Sequence, residues 1–246
     1  MNLLQKARVH VRNLASHDRG LAFKQFLLRK GGRLIPGLWV EYYLEGALEP
    51  EVSYVLSMPK RGQVVVDAGA FRGKYTVRLA KRGCLVHAFE PNPVALKLLS
   101  KRAGRFSNVT VYPMALAEFD GFLDFRLNPA APAASSGSLH IGPTVRVPCR
   151  RLDSMTLRPS WMKLDVEGFE ERVLRGSEKT ILKNEPKIVV ECHGSHNFHS
   201  VTEYLEGLRY NVSVLQQTRF RDGDPVRFPY DMVTHLFAFS QRSGLN

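Results

Sequence analysis

Residues 63–76 read QVVVDAGAFRGKYT. The first five residues contain three consecutive β-branched valines, Val64–Val66, and end in Asp67, a pattern that predicts a buried strand. Residues 74–81 continue with the pattern of a helix, and the turn between the two elements contains Gly69 and Gly73. Glycine allows a turn to bend sharply and lets other atoms approach the backbone closely. The stretch therefore predicts the strand, turn and helix that begin a doubly wound α/β fold.

Strands and helices are expected to alternate along the rest of the chain. Residues 84–90 (CLVHAFE) form a second predicted strand, after which Asn92 is expected to cap a helix that has Pro93 at its first position. Further core strands are expected at residues 109–113, 161–165, 187–192, 211–216 and 232–240, with helices from about residue 169 and over residues 201–208. Residues 121–127 and 144–149 are expected to add two strands around a loop rich in Pro, Ala, Ser and Gly at residues 129–143. We therefore predict an α/β fold with a doubly wound, mostly parallel sheet of seven core strands and flanking helices.

The charge of the chain is concentrated near its N-terminus. The 246 residues carry a formal net charge of +12, and residues 1–33 hold eight lysines and arginines with one aspartate, a net charge of +7. Apolar residues recur there near helical spacing. We predict a basic helical extension over residues 1–60 and one larger domain over residues 61–246. The extension is either a cap helix with a solvated charged side or a segment that contacts an anionic membrane or a phosphate-bearing substrate.

The sequence also carries expectations about location and cysteine chemistry. No apolar run approaches the roughly 20 residues that cross a bilayer, and basic residues interrupt the apolar N-terminal segment, unlike a secretory signal. We expect a cytoplasmic protein, with peripheral membrane contact as the alternative.

The three cysteines, Cys84, Cys149 and Cys192, lack metal-ligand spacing and are expected to be reduced, with Cys84 and Cys192 in the core.

A ligand is expected at the carboxyl ends of the first two strands, where open α/β sheets bind nucleotides. NAD sites combine a glycine turn with an acid about 20 residues later, a place that Glu90 occupies. The glycine pattern here is Asp-x-Gly-x-x-x-Gly, and the Asp67 carboxylate would repel a pyrophosphate. The same charge favours the ammonium and sulfonium groups of S-adenosylmethionine. The alternative is that Asp67 only hydrogen-bonds the turn.

Five short motifs in one order resemble those of the FkbM-type methyltransferases. They are D-x-G-A-x-x-G-x-Y-T at residues 67–76, F-E-P-N-P at 89–93, L-D at 152–153, K-x-D-x-E-G-x-E at 163–170 and L-x-G at 174–176. The resemblance covers about residues 62–194. It implies the class I methyltransferase fold, S-adenosylmethionine as cofactor, and O-methylation of a hydroxyl on a sugar, glycolipid or other small molecule.

The resemblance also implies a set of residues that bind the methyl donor. Glu90 would bind the ribose hydroxyls, since a carboxylate accepts hydrogen bonds from a vicinal diol. Met114 and Ala115 would lie near the adenine. The complete set is Asp67, Gly69, Ala70, Gly73, Tyr75, Thr76, Glu90, Asn92, Met114 and Ala115. Many members of the family have Asn in place of Phe71, so contacts of that amide are not expected here.

The catalytic residues are expected on the fourth and fifth core strands, because methyl transfer needs an aligned acceptor and, for a weak nucleophile, a base. Asp165 is our first choice as acceptor-orienting group or base, and Glu167 is the second, with helix capping as its alternative role. His193 is a further candidate base, because an ordinary histidine titrates near pH 6.5. A divalent cation held by Asp165, Glu167 and Glu191 is a less favoured alternative, and we predict no metal ligands. His196 and His199 are expected in a polar loop and are weak evidence for zinc.

Three other functions were considered for this sequence. A nucleic-acid methyltransferase is suggested by the sequence pI of about 9.8, but the matched region lacks an N-P-P-Y type element, and most of the excess charge lies outside it. Nucleic acid is therefore not an expected partner. A nicotinamide oxidoreductase is disfavoured by the glycine spacing and Asp67. A module that binds the donor without turnover stays open.

Overall fold

The computed structural model describes residues 55–127, 143–219 and 232–242. The predicted basic helices within residues 1–33 and most of the predicted loop at 129–143 lie outside the described residues. The proposed division of the chain after residue 60 stays a prediction. Within the described ranges, none of the helices has the length and apolar character needed to span a membrane.

Ten strands lie within the described residues. They are β1 (Val64–Ala68), β2 (Leu85–Phe89), β3 (Val109–Tyr112), β4 (Ala115–Leu116), β5 (Gly121–Arg126), β6 (Thr144–Arg150), β7 (Trp161–Leu164), β8 (Lys187–His193), β9 (Tyr210–Arg219) and β10 (Met232–Ser240). Seven form one sheet in the order β3-β2-β1-β7-β8-β10-β9. Strands β3, β2, β1, β7 and β8 are parallel, and β10 is antiparallel to both β8 and β9. The predicted doubly wound, mostly parallel seven-stranded sheet is confirmed.

Five α-helices connect these strands in the described part of the chain. They are α1 (Lys74–Lys81), α2 (Pro93–Ala103), α3 (Glu170–Arg175), α4 (Glu178–Asn184) and α5 (Ser195–Gly207). The Asn92 side chain accepts a hydrogen bond from the N–H of Val94 at 2.9 Å, so the predicted cap of α2 is confirmed. The prediction of a polar loop around His196 and His199 was wrong, because α5 begins directly after Gly194 and contains both histidines.

The two added strands predicted around residues 121–149 belong to a second sheet. Its order is β4-β6-β5, with β5 antiparallel and β4 parallel to β6. This small sheet lies between β3 and β7 in the sequence. It brings residues of β5 to a cleft at the carboxyl ends of β1, β2 and β7.

Apolar residues cover both faces of the main sheet. The large core cluster includes Phe89 of β2 together with Leu164, Ile188 and other buried residues from α3, α4 and α5. A smaller cluster contains Ala88 with residues of α2. Adjacent strand residues point to opposite faces, so these two clusters lie on opposite sides of the sheet. The three cysteines are buried and free, as expected.

Candidate active site

A cleft opens at the carboxyl ends of β1, β2 and β7, the predicted place for a ligand. It encloses about 620 Å³, part of it open to solvent. Five predicted site residues line its wall: Gly69, Glu90, Ala115, Asp165 and Glu167. The remaining wall is formed by Phe89, Pro91, Leu116, Leu123, Asp124, Phe125, Val166 and Phe169. Most of these additional residues are apolar, whereas the carboxylates Asp165 and Glu167 follow β7.

The glycine turn after β1 is shaped by contacts within the chain itself. Gly69 has φ +74°, and a Cβ added there would meet the backbone oxygen of Asp165. Gly73 has φ +82°, and a Cβ added there would lie 2.9 Å from a methyl group of Leu99 on α2. Gly69 thus lets the ends of β1 and β7 approach, and Gly73 lets α1 begin against α2. Of these two glycines, Gly69 also lines the cleft.

Glu90 is fully buried at the end of β2 and lines the cleft. Its Oε2 accepts a hydrogen bond from the backbone N–H of Phe71 at 2.6 Å, and its Oε1 accepts one from the N–H of Asn92 at 2.8 Å. Burial raises the pKa of Glu90 to about 7. The two backbone bonds fix the carboxylate and leave each oxygen further acceptor capacity. This geometry fits a group that accepts hydrogen bonds from a diol.

Asp67 is fully buried behind the cleft wall and has partners within the chain. Thr76 donates its hydroxyl hydrogen to Oδ2 of Asp67 at 2.6 Å, and Lys163 Nζ lies 3.6 Å from Oδ1. Oδ1 itself accepts no hydrogen bond from the described residues. The negative charge of Asp67 is thus balanced by a lysine of the same protein. Direct contact between Asp67 and a methyl donor stays a prediction.

Lys163 begins the K-x-D-x-E-G-x-E motif, and its role became visible only in the structure. It is buried in β7 and donates hydrogen bonds to the backbone oxygen of Gly69 at 3.0 Å and to Oδ2 of Asp165 at 3.1 Å. Burial by itself would lower the pKa of Lys163, but Asp165 and Asp67 raise it above the ordinary lysine value. The K-x-D spacing could have indicated the contact between Lys163 and Asp165, because residues i and i+2 of a strand share a face.

The other predicted donor residues lie outside the cleft wall. Asn92 uses its side-chain oxygen to cap α2. The ring of Tyr75 lies 5.6 Å from Lys163 Nζ, and Met114 packs against the large core cluster. Ala70, Gly73 and Thr76 belong to the turn and to the first residues of α1. Their role in donor binding stays a prediction.

The turn after β7 carries the two carboxylates that line the cleft. Burial and the nearby Glu191 raise the pKa of Asp165. Glu167 has φ +56°, and burial together with the neighbouring carboxylates raises its pKa to about 8. Glu170, not Glu167, binds the free backbone N–H groups before α3, accepting from Val166 and Gly168 at 3.1 Å. The capping role considered for Glu167 is therefore filled by Glu170.

His193 is buried among three carboxylates. Its Nε2 lies 3.5 Å from Glu167 and 3.4 Å from Glu191, and its Nδ1 lies 3.4 Å from Glu170. Burial would lower its pKa, but the bonds to Glu170 and Glu191 raise the pKa of His193 to about 12. A histidine that stays protonated is unable to accept a proton. The three carboxylates around the ring favour its protonated form, and the role of His193 as the base stays a prediction.

Glu191 and His235 complete this charged cluster. The two residues are directly paired across β8 and β10, and His235 Nε2 lies 3.0 Å from Oε2 of Glu191. Burial would raise the pKa of Glu191, but the bonds to His193 and His235 hold it well below its usual range. No role for His235 was predicted from the sequence. A titratable residue within the mostly apolar run of residues 232–240 could have indicated that His235 has a charged partner.

The cluster has a spacing that would suit a metal ion. Asp165, Glu167 and His193 each offer one ligand atom, and these atoms lie within 4.8 Å of one another. A histidine ligand must be neutral to donate a lone pair, whereas the carboxylates around His193 favour its protonated form. The contacts of these three residues therefore favour charge pairing among the side chains.

Comparison with known proteins agrees with this arrangement. The family model for the methyltransferase FkbM domain matches residues 67–212. A solved structure of methyltransferase FkbM from Methylobacillus flagellatus KT is similar, with a TM-score of 0.53 and 19% identity over 89% of this chain and 59% of that chain. The present chain thus spans about three-fifths of that protein. At this identity the likeness concerns the fold, and it confirms the predicted class I methyltransferase architecture.

Two further structures are more distant. A precorrin-6y C5,15-methyltransferase from Geobacter metallireducens GS-15 has a TM-score of 0.47 and 16% identity, over 76% of this chain and 87% of that one. A SAM-dependent O-methyltransferase from Thermotoga maritima also has a TM-score of 0.47 and 16% identity, over 78% of this chain and 64% of that one. No curated protein sequence matches the chain. Because the family model covers more than half of the residues, this chain belongs to the FkbM methyltransferase family.

Proposed function

We propose that the protein uses S-adenosylmethionine to methylate a hydroxyl oxygen of a sugar, glycolipid or other small molecule. The observation that carries this proposal is that Gly69 and Glu90 line the same cleft as Asp165 and Glu167. The family motifs imply that the methyl donor binds beside Gly69 and Glu90. Asp165 and Glu167 offer carboxylates that can align the acceptor.

The donor end fits a molecule with a ribose and a cationic tail. Glu90 presents a carboxylate held by two backbone N–H groups, which suits the vicinal hydroxyls of a ribose. Asp67 has a buried oxygen, Oδ1, that accepts no hydrogen bond from the described residues. Bound S-adenosylmethionine would supply an electrophilic methyl carbon attached to a sulfonium. The carboxylates around the cleft favour such a positive charge.

The acceptor end fits a weak nucleophile that must lose a proton. Asp165 is held by Lys163 at 3.1 Å, and in this fixed position it accepts a hydrogen bond from the acceptor hydroxyl and orients it. Glu167 takes the proton, because a pKa of about 8 makes its carboxylate a stronger base than an ordinary glutamate. The protonated His193 beside Glu167 limits the rise of that pKa. A dedicated base favours a hydroxyl as the acceptor over a thiol, because a thiol loses its proton more readily without help.

The proposal is tested by methyl incorporation with the full-length protein. S-adenosylmethionine labelled in its methyl group is incubated with nucleotide sugars, glycans, lipid extracts and RNA. We expect label in a carbohydrate or small-molecule product, in an ether bond. We expect Asp165→Ala to abolish detectable turnover while donor affinity changes by no more than a few fold. Glu171→Gln is the matched control, because Glu171 pairs with Arg175 on the surface of α3.

The other outcomes separate the competing functions. Label in RNA, with incorporation that falls steeply as salt rises, would replace this proposal with a nucleic-acid methyltransferase. Donor binding without incorporation into any acceptor class would favour a binding module. Full turnover in Asp165→Ala would move the chemistry to other residues.

A further inference from the structure

His235 lies on β10, beyond residues 67–212, which the family model matches. The next three residues, Leu236, Phe237 and Ala238, are buried apolar residues of the core. His235 is itself only 6% exposed. A histidine in such surroundings needs a polar partner, because a buried polar group without one is costly.

That partner is Glu191, which lies opposite His235 in the ladder of β8 and β10. Because the two residues are directly paired, their side chains lie on the same face of the sheet. His235 Nε2 lies 3.0 Å from Oε2 of Glu191. The pairing of β10 with β9 shifts by one residue between His235 and Leu236, whereas its pairing with β8 stays regular through both. The irregularity is thus taken up on the β9 side, and the register between His235 and Glu191 is kept.

Glu191 connects His235 to the cleft residue Glu167 through His193. Residues 191 and 193 are two apart on β8 and share a face. Oε1 of Glu191 lies 3.4 Å from Nε2 of His193, and the same nitrogen lies 3.5 Å from Oε2 of Glu167. Each oxygen of Glu191 therefore faces one histidine. The four side chains form a row of contacts from β10 to the cleft, which Glu167 lines.

The contact with His235 determines how strongly Glu191 attracts His193. Burial would raise the pKa of Glu191, but its two histidine partners hold it well below its usual range. The ionised carboxylate only accepts hydrogen bonds, so His235 donates from Nε2. This bond satisfies one oxygen of Glu191 and balances part of its charge. The single hydrogen on Nε2 of His193, which Glu167 and Glu191 both approach, then stays available to Glu167.

We propose that His235 is a positioning residue for methyl transfer, which acts on Glu167 through Glu191 and His193. His235 holds the carboxylate of Glu191, Glu191 holds the ring of His193, and the ring fixes the carboxylate of Glu167. The inference rests on the proposed role of Glu167 as the base and adds a residue outside the family motifs. His235 is not among the residues that line the cleft, so its effect is indirect.

The charged groups around Glu167 determine the direction of the effect. They are Asp165 and Lys163 from the end of β7, Glu170 of α3, and Glu191 and His193 of β8. Without the donor of His235, the negative charge of Glu191 is balanced less, and Glu191 draws the Nε2 hydrogen of His193 away from Glu167. Both changes disfavour the ionised form of Glu167. Its pKa should therefore rise, and the ionised form should be reached only at higher pH.

Two amide substitutions of His235 test this inference in the full-length protein. The amide nitrogen of His235→Gln reaches about as far as Nε2, whereas the side chain of His235→Asn is too short to reach Glu191. NMR of protein with ¹³C-labelled glutamate carboxyl groups follows the titration of Glu167, whose signal is assigned by its loss in Glu167→Gln. We expect a midpoint near pH 8 in wild type, a rise of about half a pH unit or more in His235→Asn, and a value near that of wild type in His235→Gln.

Kinetics with the acceptor labelled in the methyl-incorporation experiment provide a second readout. His235→Asn should lower kcat at pH 7 about 10-fold, whereas KM for S-adenosylmethionine should stay within about twofold. His235→Gln should recover kcat to within about threefold of wild type. Phe237→Leu, a core substitution on the same strand, is the control for a general loss of stability. It should lower the thermal unfolding temperature without moving kcat or the Glu167 midpoint.

A measurement on wild type keeps the test independent of how well the variants fold. In a spectrum of ¹⁵N-labelled histidine at pH 7, Nε2 of His235 should have the shift of a protonated nitrogen. An unprotonated Nε2, or equal Glu167 midpoints and kcat in wild type and His235→Asn, would overturn the inference and leave the proposed function intact. Full turnover in Glu167→Gln would instead refute the proposed base.

Discussion

The backbone oxygen of Asp165 lies 1.7 Å from the position that a Cβ atom on Gly69 would occupy. Gly69→Ala must therefore push apart the ends of β1 and β7 in addition to placing a side chain at φ +74°. We expect this variant to lose about 3 kcal/mol or more of the free energy of unfolding and to bind the donor poorly. Urea denaturation and calorimetry with S-adenosylhomocysteine measure the two effects.

Gly62→Ala is a matched control for that experiment. Gly62 has φ +81°, and a Cβ added there meets no atom within 4 Å. Its variant should lose only about 1 kcal/mol, the cost of the left-handed conformation. Equal losses at positions 62 and 69 would show that conformational strain alone, without the contact to Asp165, explains both.

Lys163 is the only cation paired with Asp67 among the ion pairs of the described residues. Lys163→Met removes that cation and leaves the buried carboxylates of Asp67 and Asp165 close together. We expect a loss of about 3 kcal/mol in the free energy of unfolding, since breaking one side of a buried pair is costly. Lys97→Met, at an exposed position on α2, should change stability by less than about 0.5 kcal/mol.

Methylation should depend on pH through Glu167. Its pKa of about 8 means that the carboxyl group is protonated at pH 6 and ionised above about pH 9. Since only the ionised form accepts a proton, kcat should rise about tenfold per pH unit below pH 8 and level off above it. Glu167→Gln should lower kcat by about a hundredfold or more and remove this dependence. A flat profile in wild type between pH 6 and 9 would exclude Glu167 as the base.

The protonated state favoured for His193 leads to an expectation about metals. Because an imidazolium has no lone pair for a metal ion, we expect turnover to be unaffected by dialysis against EDTA. Turnover before and after chelation is the measurement, with Mg²⁺, Mn²⁺ and Zn²⁺ added back separately. Activity that is lost on chelation and restored by one of these ions would identify Asp165, Glu167 and His193 as a metal site.

The basic segment of residues 1–33 carries a proposal of its own. If it contacts an anionic membrane, the full-length protein should sediment with vesicles that contain phosphatidylserine, and deletion of residues 1–33 should reduce the bound fraction severalfold. Neutral phosphatidylcholine vesicles are the control. Equal sedimentation of both proteins with anionic vesicles would favour the cap-helix interpretation.

Local patterns were sufficient for much of the fold. The strand, glycine turn and helix around Gly69 were predicted because their signals, β-branched residues and glycines, act within a few positions. The start of α5 was missed by six residues, because His196, Asn197 and other polar residues at its first turn resemble a loop. The cleft carboxylate Glu90 was predicted from its position at the end of an apolar strand.

The sequence by itself determined the alternation of strands and helices, the glycine turn and the order of the family motifs. Tertiary structure decided which charges meet: Lys163 reaches Gly69 across 94 positions, and His235 reaches Glu191 across 44. It also decided that residues of β5 line the cleft. Hydrophobic period and turn residues specify local elements, whereas ion pairs and cavity walls depend on strand order and register, which arise only when the sheet assembles.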